Sequence, residues 1–211
     1  PEAGAMKALG TSLLIAGLTV ALSLAVAIPA GYALSRRNLP LRSLFLLFFL
    51  LPQAFPTVAV HMNIARIFYG YGLTGTIGGV MLVHAIQGLV FAVWIASASF
   101  AAIGPEQVEA ARNMGASPLR AFMTVSLPLA APGLMASAIF VFLISLDEFS
   151  GTFFVGVPNV QTLPLTMLNA AMEGNYQIAS ITALLLLVPS VLFMLFVEKF
   201  LKADVLASVG K

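Results

Sequence analysis

The chain lacks cysteine altogether, and charged residues make up only 9% of its 211 residues. The absence of cysteine excludes a disulfide framework, a cysteine-ligated zinc site and a cysteine nucleophile. Soluble domains carry about 25% charged residues, so 10 basic and 8 acidic side chains are too few to keep a compact soluble protein of this size dispersed. The same scarcity excludes most soluble enzymes, and any nucleic-acid-binding protein that works through a broad basic surface.

The chain is rich in long apolar segments, and hydrophobic residues make up 60% of it. A helix needs about 20 mostly apolar residues to cross the hydrocarbon core of a bilayer. We therefore predict an all-α polytopic membrane protein with five spans. They run from about Leu9 to Leu34, Ser43 to Ile67, Thr74 to Ala102, Leu129 to a point between Phe149 and Val157, and Ile178 to Val197.

Lysine and arginine predict the orientation, because cytoplasmic loops carry an excess of both. Five spans place eight basic residues on one side: Arg36, Arg37, Arg42, Arg112, Arg120, Lys199, Lys202 and Lys211. The other side holds only Lys7 and Arg66. The first side is predicted to be cytoplasmic, which puts the start of the chain outside. The chain begins at Pro1 without a signal peptide, so we expect one further N-terminal span; a five-span protein with an outside N-terminus is the alternative.

Two prolines, Pro52 and Pro56, interrupt the second span. Each lacks an amide proton, so the carbonyl four residues earlier loses its helical donor. Within hydrocarbon such a loss must be met by side chains, water or neighbouring helices. The pair predicts either a packing kink or a hinge beside a water-filled path.

The segment from Gly104 to Gly133 is the longest loop on the predicted cytoplasmic side. Pro105 suits the first position of a helix, and Gly115 suits a left-handed residue just after its end. Ser117 then caps a second helix. A short, exposed helix held between two spans could dock into a groove on another protein, or it could be an amphipathic connector at the membrane surface.

The residues of this loop resemble a known signature. Glu109-Ala110-Ala111, then Gly115, then Leu127-Pro128 are similar to the EAA motif of the permease subunits of binding-protein-dependent ABC importers. The resemblance covers at least Leu9 to Gly210. Met114 departs from the Asp that often precedes the Gly of the motif.

This resemblance implies a type I ABC-importer permease bundle: one transmembrane domain over residues 1–211, with a cytoplasmic EAA loop at about 104–128. It implies that Glu109, Ala110, Ala111, Arg112 and Gly115 couple the chain to an ATPase. The implied partners are two ATP-binding cassette subunits, a second permease (identical or homologous) and an extracytoplasmic solute-binding protein. The implied location is the plasma membrane or bacterial inner membrane, surrounded by lipid. The family typically has six spans, which agrees with one N-terminal span beyond the five.

The sequence predicts no enzyme, cofactor or metal site. It contains no phosphate-binding loop, because its one Gly-Lys pair is Gly210-Lys211 at the terminus. The two histidines, His61 and His84, occur in separate spans. Each is interpreted as a hydrogen-bonded polar residue between helices rather than as a ligand.

Asp147 and Glu148 are adjacent carboxylates in an apolar run. Charge at membrane depth is costly and marks a candidate functional site, so the pair could line a substrate path. Alternatively, both are interface charges or pair with a neighbouring helix. Together with Thr162-Leu163-Pro164-Leu165 they resemble permeases for spermidine and putrescine. We therefore expect a polyamine or a similar small solute, with sugars as the alternative. A self-sufficient secondary transporter or channel is the alternative of a different class.

The segment Phe149–Gln177 follows on the predicted outer side. It is too long for a simple turn, and it is apolar enough to return toward the bundle.

Overall fold

The computed structural model describes residues 2–35 and 41–209 of the chain. Every regular element in these residues is helical, as predicted. The α-helices are α1 (Glu2–Ser35), α2 (Arg42–Leu50), α3 (Thr57–Gly70), α4 (Ile77–Ala101), α5 (Pro105–Asn113), α6 (Pro118–Ala121), α7 (Leu127–Asp147), α8 (Leu163–Met172) and α9 (Tyr176–Val209).

Part of the predicted orientation depends on residues outside these ranges. Arg36, Arg37 and Lys211 are among the eight basic residues, and they lie outside the described residues. The side chains of Arg42, Lys199 and Lys202 are not described either, although their backbones belong to α2 and α9.

Three helical segments of the described chain are long and apolar enough to cross a membrane. They are α1, α4 and the continuous helical run Pro118–Asp147, which includes α6 and α7. A 25-residue helix such as α4 is about 37 Å long at 1.5 Å per residue, which exceeds the 30 Å of a hydrocarbon core. The 34-residue helix α9 covers the predicted fifth span.

The second predicted span is broken. Helices α2 and α3 pass the length and apolarity test only as a pair, and they are bent by 94° relative to each other. A tight 3-10 turn, Leu51–Ala54, ends the first half, and Pro56 adopts φ −57° and ψ 123° immediately before the second half begins. The break therefore lies at Pro52 and Pro56, where the missing amide protons weaken the helical ladder.

Helices α1, α4 and α7 form the centre of the bundle. Their buried contact is made mostly of small and branched side chains: Ala27, Leu34, Ala92, Val93, Ala96, Phe100, Ala130, Leu134 and Val141. Small residues let helix backbones approach closely, which is how helices associate in lipid. Large apolar side chains elsewhere on these helices face outward, among them Leu14, Leu18 and Met135. This distribution suits a bundle whose outer surface meets lipid.

The turn that leads into α7 is wider than an α-helical turn. In the segment Phe122–Ser126 the hydrogen bonds span five residues, and the series ends where the amide of Leu127 donates to the carbonyl of Phe122. A second wide turn, Thr152–Gly156, follows α7. Single turns of this kind occur inside helices and are frequent near functional sites.

The predicted outer segment does return to the bundle. Leu163 and Leu165 at the start of α8 are each 1% exposed. The backbone amide of Leu163 donates to the hydroxyl of Ser12 in α1 over 2.8 Å. This end of the bundle, opposite α5, is therefore covered by chain that packs on it.

Candidate functional site

The α5 loop has the local structure that its residues predict. Pro105 occupies the first turn of α5, and Gly115 adopts φ +89°. Ser117 caps α6, since its hydroxyl accepts a hydrogen bond from the amide of Arg120 over 3.3 Å. A side chain at position 115 would be strained whatever the space around it, because L-residues rarely adopt that φ. The three residues therefore fix the length of α5 and the sharp bend after it.

The EAA residues divide between the two faces of α5. Ala111 is 8% exposed and packs toward the bundle. Glu109, Ala110 and Arg112 are exposed, as is Gly115 after the helix. The helix is thus attached along one side and offers charged and small residues on the other.

A crevice separates α5 from the bundle. It has a volume of about 730 Å³, and its walls include Tyr32 and Phe100 on the bundle side. Glu109 and Arg112 contribute to the opposite wall. The rings of Tyr32 and Phe100 meet edge to face, with centroids 5.4 Å apart. The aromatic contact joins the ends of α1 and α4 beside this crevice.

At the other end of the bundle, α7 stops at Asp147 and the chain turns at Glu148. Glu148 has φ −75° and ψ 118°, an extended conformation that ends the helix. Its carboxylate then accepts backbone hydrogen bonds from Gly151 at 2.9 Å and from Thr152 at 3.3 Å. These amides begin the next helical turn, so Glu148 acts as its cap. An anionic group at this position also interacts favourably with the helix dipole.

Both histidines of the chain lie against the Glu148 carboxylate. The nitrogen Nδ1 of His61, from α3, is 3.4 Å from Oε1, and the nitrogen Nε2 of His84, from α4, is 3.3 Å from Oε2. Both rings are 0% exposed, and Glu148 is 7% exposed. A carboxylate, a turn and two helices therefore meet at one buried point.

Three hydroxyl groups complete this cluster. Ser150 donates to Glu148 over 2.8 Å and is hydrogen-bonded to His61 Nδ1 over 2.6 Å. Thr152 and Ser145 are hydrogen-bonded to the two nitrogens of the His84 ring, at 2.9 Å and 2.8 Å. We call Glu148, His61, His84 and their three hydroxyl partners the Glu148 cluster. Among the described residues, no group of acidic and histidine side chains could hold a metal ion.

The neighbouring carboxylate has a different environment. Asp147 is exposed and lines a groove of about 500 Å³. Thr57 and Gln87 supply polar groups to this groove, and Phe140 and Phe149 supply aromatic rings. Glu148 also lies along this groove. The two carboxylates differ in exposure: that of Glu148 is buried among hydrogen bonds, whereas Asp147 is exposed.

Sequence reasoning placed the histidines between helices but did not connect them to Glu148. The hydrogen-bonded partners His61 and Ser150 are 89 positions apart, and His84 and Thr152 are 68 apart. One local signal was present: Glu148 stands three residues before Gly151, and acidic residues are common at helix starts. That spacing could have revealed a helix break at Glu148.

Three comparisons with known proteins agree with the fold. Residues 12–205 match the family model described as "Binding-protein-dependent transport system inner membrane component". The chain is 30% identical over 206 residues to the putative ABC transporter permease protein ORF1 of Streptomyces antibioticus, covering 95% of this chain and 89% of that protein. It is 27% identical to the trehalose transport system permease protein SugB of Mycobacterium tuberculosis, covering 97% and 77% of the two chains.

A solved structure supports the same fold. A chain of the MetNI methionine ABC transporter in an inward-facing conformation superposes with a TM-score of 0.70. The superposition covers 94% of each chain at 17% identity, so it bears on the fold. With the family match over residues 12–205, it identifies an all-α type I bundle. The chain belongs to the family of inner membrane components of binding-protein-dependent transport systems, the permease subunits of ABC transporters.

Proposed function

We propose that this permease forms half of a solute pathway and that its α5 loop couples the pathway to an ATPase. A second permease, identical or homologous, forms the other half. Two ATPase subunits engage the two α5 loops, and an extracytoplasmic binding protein delivers the solute. The observation that carries the coupling role is α5 itself, a capped helix that is attached along Ala111 and exposed along Glu109, Ala110 and Arg112.

Apolar exposure beside α5 supports docking to a protein. Met114 is 84% exposed and lies in the turn between α5 and α6, outside the spans. Large apolar side chains exposed outside the spans, beside charged residues, are typical of a protein interface. Met114 occupies the position where the EAA motif often has Asp, so this chain replaces a charge with an apolar contact.

Docking is tested by copurification of the permease with its ATPase. Glu109→Lys reverses a charge on the exposed face of α5 and is expected to weaken the association at least about tenfold, or about 1.4 kcal/mol. Glu173→Lys is the matched control, because Glu173 is exposed at the opposite end of the bundle and the charge change is the same. Equal retention of the ATPase by both variants would contradict the docking role.

We propose that the α5 loop and the C-terminus face the cytoplasm. The eight-to-two distribution of lysine and arginine supports this orientation. It places α5 where ATP is present, and it places the Glu148 cluster near the outer end of the bundle. His84 is the seventh residue after Ile77 at the start of α4, about 10 Å along the helix.

The groove beside Asp147 is our candidate for the solute path. It combines a carboxylate, an amide, a hydroxyl and two aromatic rings. Hydroxylated solutes such as sugars suit this combination, because carboxylate and amide groups bind hydroxyls and aromatic rings pack on the apolar faces of a sugar ring. The similarity to SugB, a trehalose transport system permease, supports a sugar as the first candidate.

A polyamine is the second candidate, and the exposed carboxylate of Asp147 favours it. A cation near this carboxylate and the rings of Phe140 and Phe149 would gain both ionic and cation–π interactions. The argument depends on one carboxylate rather than two, because Glu148 is committed to the buried cluster.

The deciding experiment uses the permease reconstituted with its ATPase and binding protein. ATP hydrolysis and uptake are measured with trehalose and with spermidine as probes. Stimulation by either probe identifies the solute class. Uptake driven by an ion gradient without the ATPase would overturn the proposal in favour of a secondary transporter.

A further inference from the structure

Two broken spans meet at the groove. The first break lies between α2 and α3, where the halves differ in direction by 94°. The second lies at Glu148, after α7. Thr57 and Val58 from the first break line the groove together with Phe149 and Ser150 from the second. The width of the groove therefore depends on how the two breaks are held relative to each other.

The contact between the breaks is polar and direct. His61, one turn into α3, is hydrogen-bonded to Ser150 over 2.6 Å and lies 3.4 Å from Glu148. Ser150 in turn donates to Glu148. Because that hydroxyl gives its proton to the carboxylate, it accepts from Nδ1–H of His61. His61 thus joins the first break to the second through one nitrogen.

His84 holds the same carboxylate from a third helix. Its ring is fixed by Ser145 on one side of the break and by Thr152 on the other. It contacts Glu148 Oε2 at 3.3 Å. The α4 helix is unbroken through this region, so it provides a rigid reference for both breaks.

An apolar contact would join these helices at lower cost, since removing a carboxylate from water costs several kcal/mol. Ordinary packing therefore does not explain why a charge is buried here. A network of directed hydrogen bonds specifies one geometry, whereas apolar surfaces can slide. Glu148 is followed directly by the groove residue Phe149 and preceded directly by Asp147, so fixing Glu148 fixes both.

We propose that His61 and His84 are positioning residues for solute passage: through Glu148 they hold the two broken spans at a set spacing and present Asp147 to the groove. The inference depends on the proposed function, because it assigns the groove to the solute path.

The spacing of the two breaks can be measured in the assembled transporter. The chain has no cysteine, so Val58→Cys and Phe149→Cys are its only labelling sites. They are introduced into one permease of a transporter whose other subunits carry no reactive cysteine. Both native side chains are exposed, at 52% and 44%. We expect a single narrow distance distribution from double electron–electron resonance in lipid nanodiscs containing the permease and its ATPase.

Three variants test the role of His61 in that spacing. His61→Leu removes the hydrogen bond to Ser150 and is expected to broaden the distribution. His61→Asn places an amide near the position of Nδ1 and is expected to keep it narrow. Ser150→Ala removes the hydroxyl between His61 and Glu148 without added bulk, and it is also expected to broaden the distribution. It therefore tests the same contact if His61→Leu fails to assemble. Ser137→Ala, at a buried serine within α7, is the control and should leave the distribution unchanged.

Uptake provides the second measurement, made in the same variants without labels. With trehalose or spermidine as the probe, His61→Leu is expected to raise the half-maximal solute concentration about tenfold or more. Solute-independent ATP hydrolysis should persist, and His61→Asn should restore the wild-type concentration. A general loss of stability would lower both activities together and would not be rescued by Asn.

A narrow distribution in both His61→Leu and Ser150→Ala would overturn the positioning role, as would unchanged half-maximal concentrations in both. The distance measurement needs no solute. Suppose that the distance distribution broadens in these variants but the wild-type transporter moves neither probe. That result would support the role of His61 in holding the two spans and would contradict the proposed function.

Discussion

The backbone of Gly151 lies directly against Val83 of α4. A Cβ atom on Gly151 would come within 2.8 Å of Val83 Cγ1 and within 2.9 Å of Glu148 Oε2. Both distances are shorter than ordinary carbon contacts allow. The turn after Glu148 can therefore pack on α4 only because position 151 has no side chain.

Gly151→Ala is accordingly expected to destabilise the protein by about 1–3 kcal/mol, the usual cost of overpacking a buried site. Thermal unfolding of the purified permease in detergent measures this change. Gly78→Ala is the matched control, because Gly78 is also close to the α4 N-terminus and its Cβ position has nothing within 4 Å. A melting temperature for Gly151→Ala equal to that of Gly78→Ala would show that the turn can move away from α4.

Asp147→Asn and Glu148→Gln should have different effects although the residues are adjacent. Asp147→Asn removes charge from an exposed groove, so assembly should be normal. If the solute is a polyamine, spermidine uptake should fall about tenfold, or about 1.4 kcal/mol. Glu148→Gln removes the charge at the centre of a buried network, and its amide group faces donors, so stability should fall by about 3–5 kcal/mol.

Assembly by size-exclusion chromatography and uptake in proteoliposomes separate these outcomes. The double variant Asp147→Asn with Glu148→Gln should combine both defects. Normal uptake of a demonstrated cationic solute by Asp147→Asn would remove Asp147 from the solute path. Normal melting of Glu148→Gln would contradict the structural role of the buried carboxylate.

Gly115→Val should uncouple transport from ATP hydrolysis. A β-branched residue cannot adopt φ +89° without strain of about 1–3 kcal/mol, so α6 would leave α5 in a new direction. Uptake should be lost while the assembled transporter still hydrolyses ATP. Gly115→Asn is the control, since Asn enters the left-handed region more readily. Full uptake by Gly115→Val would show that the bend after α5 is not needed for coupling.

The orientation can be tested with single cysteines in this cysteine-free chain. Asn113 ends α5 and Asn159 lies beyond the far end of α7, and both are exposed. An impermeant thiol reagent should label Asn113→Cys only from the cytoplasmic side and Asn159→Cys only from outside. The reverse result at either position would invert the topology.

The sequence predicted α5 closely, because its limits depend on local backbone chemistry. Pro105, Gly115 and Ser117 each act within a few residues, so their effect is readable without the fold. The break of the second span is equally local, since Pro52 and Pro56 remove specific amide protons. The length of each apolar run likewise predicts a span without knowledge of its neighbours.

The Glu148 cluster could not be predicted in the same way. Its members lie on α3, on α4, and at the end of α7 with the turn that follows it. Which of these surfaces meet depends on how α3, α4 and α7 pack. Helices α4 and α7 are apolar on nearly all sides, so their sequences give little indication of which side turns inward. From the sequence, Asp147 and Glu148 were also interpreted as one pair. In the structure α7 ends between them, so Asp147 is exposed and Glu148 is buried.

The wide turn at Phe122–Ser126 sets the rotational phase of α7. It contains one residue more than an α-helical turn, so it rotates everything after it by about 100° about the helix axis. That rotation decides that Ser145, rather than a neighbouring residue, points at His84. If the same residues continued as an uninterrupted α-helix, Ser145 and Glu148 would be turned away from the histidines at the far end of the helix. The azimuth of the buried carboxylate is thus determined beside the α5 loop, at the opposite end of the bundle.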